Sequence, residues 1–154
     1  MKVKILMVCL GNICRSPLAE GILASKLDSK KFQVDSSGTS NYHIGEQPDR
    51  RSIETARKHG IDITNQRAAQ FKVSDFDHYD FIYPMDNSNY QNIIKLSRNE
   101  EDRKKVKLIL NELQPNQNLD VPDPYYGGDQ GFENVYQMLD KACNHIVTKL
   151  QKET

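Results

Sequence analysis

The chain has 154 residues with 21 Lys+Arg and 21 Asp+Glu, so its formal net charge is zero; it lacks the basic footprint that duplex nucleic acid demands, and no nucleic-acid partner is expected. The length suits one domain over residues 1–154 with one core. Three cysteines, an odd number without a C-x2-C pair or a neighbouring histidine cluster, argue against a disulfide framework and a structural zinc site, and suit a reducing, cytoplasmic setting.

Val3–Leu10 is an apolar run that predicts a buried strand. Lys2 and Lys4 imitate the start of a signal peptide, but the apolar residues Ile5–Leu10 fall short of an h-region and far short of a membrane span, so no membrane insertion is expected. Pro17–Leu27 predicts a helix with Pro at its first position and Leu18, Ala19, Ile22, Leu23 and Leu27 on one face. Phe32–Ser36 predicts a second strand, and Pro48–His59 a helix with Gly60 just past its end. Phe81–Met85 predicts a third strand in which Pro84, having no N–H, must lie at the end or edge. Ser88–Leu96 predicts a helix and Val106–Leu110 a fourth strand. From Phe132 to Leu150 apolar residues recur at three- and four-residue steps, the clearest amphipathic helix in the chain, with Cys143 among its core positions. Strands separated by helices point to a parallel sheet covered on both faces, with ligands bound beyond the carboxyl ends of its strands.

The first strand runs into such a loop, Cys9-Leu10-Gly11-Asn12-Ile13-Cys14-Arg15-Ser16, and Pro17 follows. A helix N-terminus and Arg15 favour a thiolate at Cys9, and the Ser16 hydroxyl can donate to that sulfur. Gly11 and Asn12 tolerate left-handed backbone, which lets successive N–H groups turn inward as an anion nest. Arg15 offers a planar fork for two phosphate oxygens. A bare Cys-x5-Arg would read as a buried cysteine beside a surface arginine; the strand, the Gly-Asn pair, Ser16 and Pro17 turn the reading toward phosphate chemistry. A Walker-type loop fits less well, because the Gly-Lys-[Ser/Thr] ending is missing. A cysteine nucleophile still needs a proton donor for the leaving oxygen. Asp123 is the candidate: Pro122 and Pro124 stiffen the backbone around it, and Tyr125 and Tyr126 add aromatic surface for a flat substrate.

Val8–Pro17 together with Asp123-Pro124-Tyr125-Tyr126 resembles the low-molecular-weight protein tyrosine phosphatases. Val34-Asp35-Ser36, Asn41-Tyr42, His59-Gly60-Ile61, Met85-Asp86-Asn87-Ser88-Asn89 and Phe132-Glu133-Asn134-Val135-Tyr136 extend the likeness along the chain. The resemblance implies an α/β fold of three layers, a four-stranded parallel sheet of order 2-1-3-4 flanked by helices on both faces, with no metal or cofactor. It implies hydrolysis of phosphotyrosine in proteins through a phosphocysteine on Cys9, with Asp123 as acid and then base. Arg15 and the N–H groups of Leu10, Gly11, Asn12, Ile13, Cys14 and Arg15 would hold the phosphoryl oxygens, Asn12 would shape the loop, and Ser16 would steady the sulfur. Tyr42 and Tyr125, with Tyr126 beside them, would wall the substrate ring. Cys14 would form a reversible disulfide with Cys9 on oxidation. A phosphotyrosine protein is the implied partner, and a tyrosine kinase a second one.

Two rival activities share the scaffold. Arsenate reductases pair the loop cysteine with two later ones, whereas Thr64–Leu96 contains none. Protein-arginine phosphatases carry threonine where this chain has Ile13, and a bulky aliphatic suits a phenyl ring. Asn65–Gln70 and Tyr83-Pro84 depart from the family pattern, and Asp86 is expected either to brace the cysteine loop or to cap a helix.

Overall fold

The computed structural model describes residues 2–153, with the side chains of 126–129 and 153 outside that description. A parallel sheet of order β2-β1-β3 forms its centre. Strand β1 (Val3–Cys9) is buried from Ile5 to Cys9, and pairs with β2 (Phe32–Gly38) from Val3↔Phe32 to Cys9↔Gly38. On its other side β3 (Phe81–Pro84) pairs from Ile5↔Phe81 to Val8↔Pro84. A central parallel strand is covered on both faces, which is why β1 is apolar at consecutive positions.

Side chains alternate across a strand, so β1 feeds two cores. Ile5, Met7 and Cys9 face one, packed with Leu18, Ala19 and Ile22 of α1 (Arg15–Lys26) and Leu139, Ala142, Cys143 and Ile146 of α6 (Gly128–Glu153). Leu6 and Val8 face the other, with Phe71, Phe76, Ile82, Ile93 and Val106. Helix α2 (Arg50–Lys58) opens on Asp49, whose carboxylate accepts from the Arg51 N–H at 2.8 Å, and is followed by Gly60 at φ +80°. The residue after a helix end commonly takes this left-handed conformation, so the reading of Gly60 holds. Helix α1 starts two residues before Pro17, which is its third residue and not its first. A proline costs nothing there, because the first-turn N–H groups have no partner within the helix. Strand β2 runs on to Gly38, past the expected Ser36.

The remaining helices are α3 (Asp75–His78), α4 (Asn87–Ile94) and α5 (Glu100–Lys104), with 3₁₀ turns at Ile109–Glu112 and Pro124–Gly127. One-turn helices such as α3 and α5 are shorter than a hydrophobic period can register. No helix among the described residues is long and apolar enough to cross a membrane.

The expected fourth strand, Val106–Leu110, does not form. It is reduced to one parallel bridge, Ile82↔Val106, in which the Ile82 N–H donates to the Lys105 carbonyl at 2.9 Å and the Lys107 N–H to the Ile82 carbonyl at 3.0 Å. N–H groups along a strand alternate between neighbours, so the next donor toward this edge belongs to residue 84. Pro84 has none, the ladder stops, and the chain turns into the 3₁₀ segment at Ile109. The order is therefore 2-1-3, with the fourth position marked by a single bridge.

Candidate active site

The nucleophile loop leaves the sheet at Cys9, which is 3% exposed, and enters α1 at Arg15. Between them Asn12 takes φ +57°, a left-handed turn that aims its own N–H back at the Cys9 Sγ, 3.2 Å away. No side chain caps the start of α1, so its N-terminal dipole faces the loop. Gly38, at the end of β2, presses on this turn: a Cβ there would come within 2.7 Å of the Leu10 carbonyl oxygen.

The Asn12 carboxamide organises the back of the loop. Its Oδ1 accepts from the Ala69 N–H at 3.0 Å, which commits Nδ2 to donate to Ser16 Oγ at 2.7 Å and to Ser36 Oγ at 2.9 Å. Ser16, having accepted, has a proton to give, and Cys9 Sγ lies 3.0 Å from its Oγ; the Ser37 carbonyl, at 3.4 Å, is the more distant acceptor. Ser36 donates in turn to Glu20 Oε1 at 2.6 Å. Burial, with Asp35 adding to it, pushes the Glu20 carboxyl up to about 7 against the pull of the Ser36 hydrogen bond.

Arg15 is 8% exposed and is gripped from behind: Nη1 donates to Asp86 Oδ2 at 2.7 Å and to the Val121 carbonyl at 2.9 Å. Asp86 Oδ1 accepts from the Asn89 N–H at 2.7 Å. The two roles expected for Asp86 as alternatives, brace and cap of α4, are thus filled at once, one by each oxygen.

Val121 also anchors the acid arm. Its N–H donates to the Met85 carbonyl at 2.8 Å, and Asp120 Oδ1 accepts from the Asn87 N–H at 2.8 Å. Two residues on, Asp123 is exposed, and its Oδ1 accepts from the Tyr125 N–H at 3.0 Å. The following turn sits directly on α6, where a Cβ at Gly131 would come within 2.5 Å of the Pro124 carbonyl oxygen. Glycine inside a helix weakens it, so this one is explained by close approach.

A cavity of about 140 Å³ results, lined by Cys9, Ile13, Arg15, Tyr42, Asp123 and Tyr125 among others. Leu10, Gly11 and Cys14 line it too. Asn12 and Ser16 are buried behind the loop: the Asn12 carboxamide donates to Ser16 Oγ, which lies 3.0 Å from Cys9 Sγ. Tyr42 is 75% exposed and forms only the rim. The Tyr126 side chain lies outside the described residues. Burial pushes the Cys14 thiol up to about 12, against a hydrogen bond to the Tyr125 hydroxyl, so it stays protonated. Among the described residues no cluster of His, Cys, Asp and Glu is arranged to hold a metal ion.

Glu20, Ser36, Asp49, Val121 and Gly131 were not read from sequence as site residues. Asp49 carried a signal, an acidic cap ahead of a helix, and so did Gly131, a glycine interrupting an amphipathic pattern. Val121 acts through its backbone and carried none.

Residues 4–154 match the family described as low molecular weight phosphotyrosine protein phosphatase. The chain belongs to that family. It is 45% identical to a Synechocystis sp. protein provisionally named a low molecular weight protein-tyrosine-phosphatase, over 97% of this chain and 98% of that one. The human low molecular weight phosphotyrosine protein phosphatase is 38% identical over 94% of each chain. Among solved structures, a protein tyrosine phosphatase from Entamoeba histolytica with Hepes in its active site superposes with a TM-score of 0.90, at 35% identity and 99% coverage of both chains. The Cys9, Cys14 and Arg15 positions fit the phosphate-binding loop of this phosphatase family.

Two outcomes test the geometry of this phosphatase loop and its arm. The Glu20 carboxyl, held near 7 in the folded protein against 4.5 ordinarily, prefers its proton when folded, so its contribution to stability is greatest below about pH 4.5 and declines until the pH passes about 7. Urea denaturation should show wild type losing up to about 3 kcal/mol more than Glu20→Gln between about pH 5 and pH 8. In Gly131→Ala the Pro124 turn must move, and hydrogen exchange should show the Tyr125 amide opening about tenfold faster while the β1 amides are unchanged.

Proposed function

We propose that this protein hydrolyses phosphotyrosine in proteins by a two-step displacement on Cys9. The observation that carries the reading is the convergence at Cys9 Sγ of the Asn12 N–H at 3.2 Å and the Ser16 hydroxyl at 3.0 Å, in a cavity that Arg15 and Asp123 also line. Two donors converge on one sulfur, the nucleophile of this reaction. Arg15, locked by Asp86 and Val121, presents the rest of its guanidinium to the equatorial oxygens of the phosphoryl group, together with the loop N–H groups from Leu10 to Arg15 other than that of Asn12, which is turned onto the sulfur. Positioning and charge stabilisation of this kind dominate phosphoryl transfer.

In the first step the sulfur–phosphorus bond forms as the phosphorus–oxygen bond to the tyrosine breaks, and Asp123 gives its proton to the departing phenolate. In the second, Asp123 takes a proton from water, the water oxygen attacks phosphorus, and Cys9 leaves as a thiolate that Ser16 and Asn12 again stabilise. The Tyr125 N–H holds one Asp123 oxygen, so the other serves the proton transfer. A cavity of about 140 Å³ is well below the ~300–1,000 Å³ of sites for drug-sized ligands, and admits one side-chain head group. Ile13 and Tyr125 offer it apolar walls.

Cys9 and Cys14 line the same cavity as free thiols, which supports a reversible disulfide between them under peroxide as a guard on the nucleophile. Free cysteines at Cys9, Cys14 and Cys143 also suit a cytoplasmic setting.

Hydrolysis of phosphotyrosine, phosphoserine and phosphoarginine peptides by variants tests the reading. Phosphotyrosine should be preferred, and Cys9→Ser should abolish turnover. Asp123→Ala should lower kcat by about 10²–10⁴, most for poor leaving groups. Ile13→Thr should gain phosphoarginine activity if that side chain sets the preference. Full activity in Cys9→Ser would sink the mechanism.

A further inference from the structure

We propose that the Tyr125 hydroxyl is a positioning group: held between the Cys14 thiol and the Asp49 carboxylate, it fixes the turn on which Asp123 stands relative to the nucleophile loop. The inference rests on the reading of Asp123 as the general acid.

Tyr125 is 43% exposed, so packing alone does not hold it. Its hydroxyl does: the Cys14 Sγ–H donates to it at 3.2 Å, and it donates to Asp49 Oδ2 at 3.0 Å. Both partners belong to the nucleophile side of the site. Cys14 is in the loop, and the Asp49 N–H donates to the Ile13 carbonyl at 2.6 Å. At its other end Tyr125 holds the acid through its own N–H, which donates to Asp123 Oδ1 at 3.0 Å. A closed path therefore runs from the loop through Asp49 and Tyr125 to Asp123. The Arg51 guanidinium, bound to Asp49 at 3.2 Å, lies 4.6 Å from the Tyr125 ring centroid, and Phe132 meets that ring edge-on.

The protonation states give the path one direction. Burial raises Cys14 to about 12 and so keeps it a donor. Burial and the Cys14 hydrogen bond raise Tyr125 and keep it a phenol. Burial opposes ionisation of Asp49, but the hydrogen bonds from Arg51 outweigh it and hold that carboxyl below its usual range, an acceptor at neutral pH. With Cys14 and Tyr125 protonated and Asp49 ionised, the S–H donates to the hydroxyl and the hydroxyl to the carboxylate near pH 7.

Tyr125→Phe removes the hydroxyl and keeps the ring as a substrate wall and as a platform for Arg51. A loose acid costs most when the leaving oxygen needs its proton. Measured as kcat/KM, which reports the first step alone, activity should therefore fall about tenfold on phenyl phosphate and less than about twofold on p-nitrophenyl phosphate. In an Asp123→Ala background the same substitution should add no further dependence on the leaving group. Equal losses of kcat/KM on both substrates would show that the hydroxyl serves binding or structure and would overturn the proposal. If Asp123→Ala is sensitive to the leaving group and Tyr125→Phe is not, the positioning role falls and the acid stands. If Asp123→Ala is itself insensitive, both fall together.

Discussion

The site depends on the conformation of Asn12. A left-handed residue at this point turns the backbone N–H onto Cys9 Sγ, and the same turn brings the side chain behind the loop. There the Ala69 N–H settles which end of the carboxamide faces which partner. With its oxygen taken, the amide nitrogen can only donate, and the direction of every hydroxyl beyond it follows: Ser16 toward the sulfur, Ser36 toward Glu20. The loop is thus organised before any phosphate arrives, which is the condition under which fixed dipoles stabilise developing charge without reorganising. The network is connected throughout and buried at Cys9, Asn12 and Ser16, the regime in which polar groups specify one arrangement and not several.

A second economy lies at the sheet edge. Pro84 ends the pairing that would have made a fourth strand, and the chain returns to the same corner through Val121, which donates to Met85. That one residue then serves both halves of the reaction: its carbonyl accepts from Arg15, and two positions later stands Asp123. Phosphate grip and proton donor are tied to one backbone segment, so their separation is set by the single Pro122 between Val121 and Asp123 and not by the long stretch of chain from Arg15.

Much of this was legible in the sequence, for reasons that can be stated residue by residue. The β1 run, the Cys-x5-Arg-Ser spacing and the Pro-Asp-Pro arm are local signals, and each marks what the structure contains. The left-handed turn was readable to within two residues, because Gly11 and Asn12 are both types that accept it; Asn12 is the one that takes it. The failed fourth strand was not, although Pro84 was flagged: whether a missing N–H matters depends on which edge it faces, and that depends on register. Glu20, Ser36 and Asp49 were missed because their roles exist only across elements. Asp49 and Tyr125 are 76 positions apart in the chain, and no periodicity links them.

The central claim is that the Asn12 network delivers the Ser16 hydroxyl to Cys9, where it stabilises the thiolate that leaves phosphorus in the second step. Rapid quench during turnover of an aryl phosphate, followed by mass spectrometry of the Cys9 peptide, tests it most directly. The account predicts a phosphate on Cys9 in wild type and a larger phosphorylated fraction at steady state in Ser16→Ala, because loss of the hydroxyl slows departure of the sulfur. Absence of covalent phosphate on Cys9 in both proteins, or an equal fraction in the two, would contradict it.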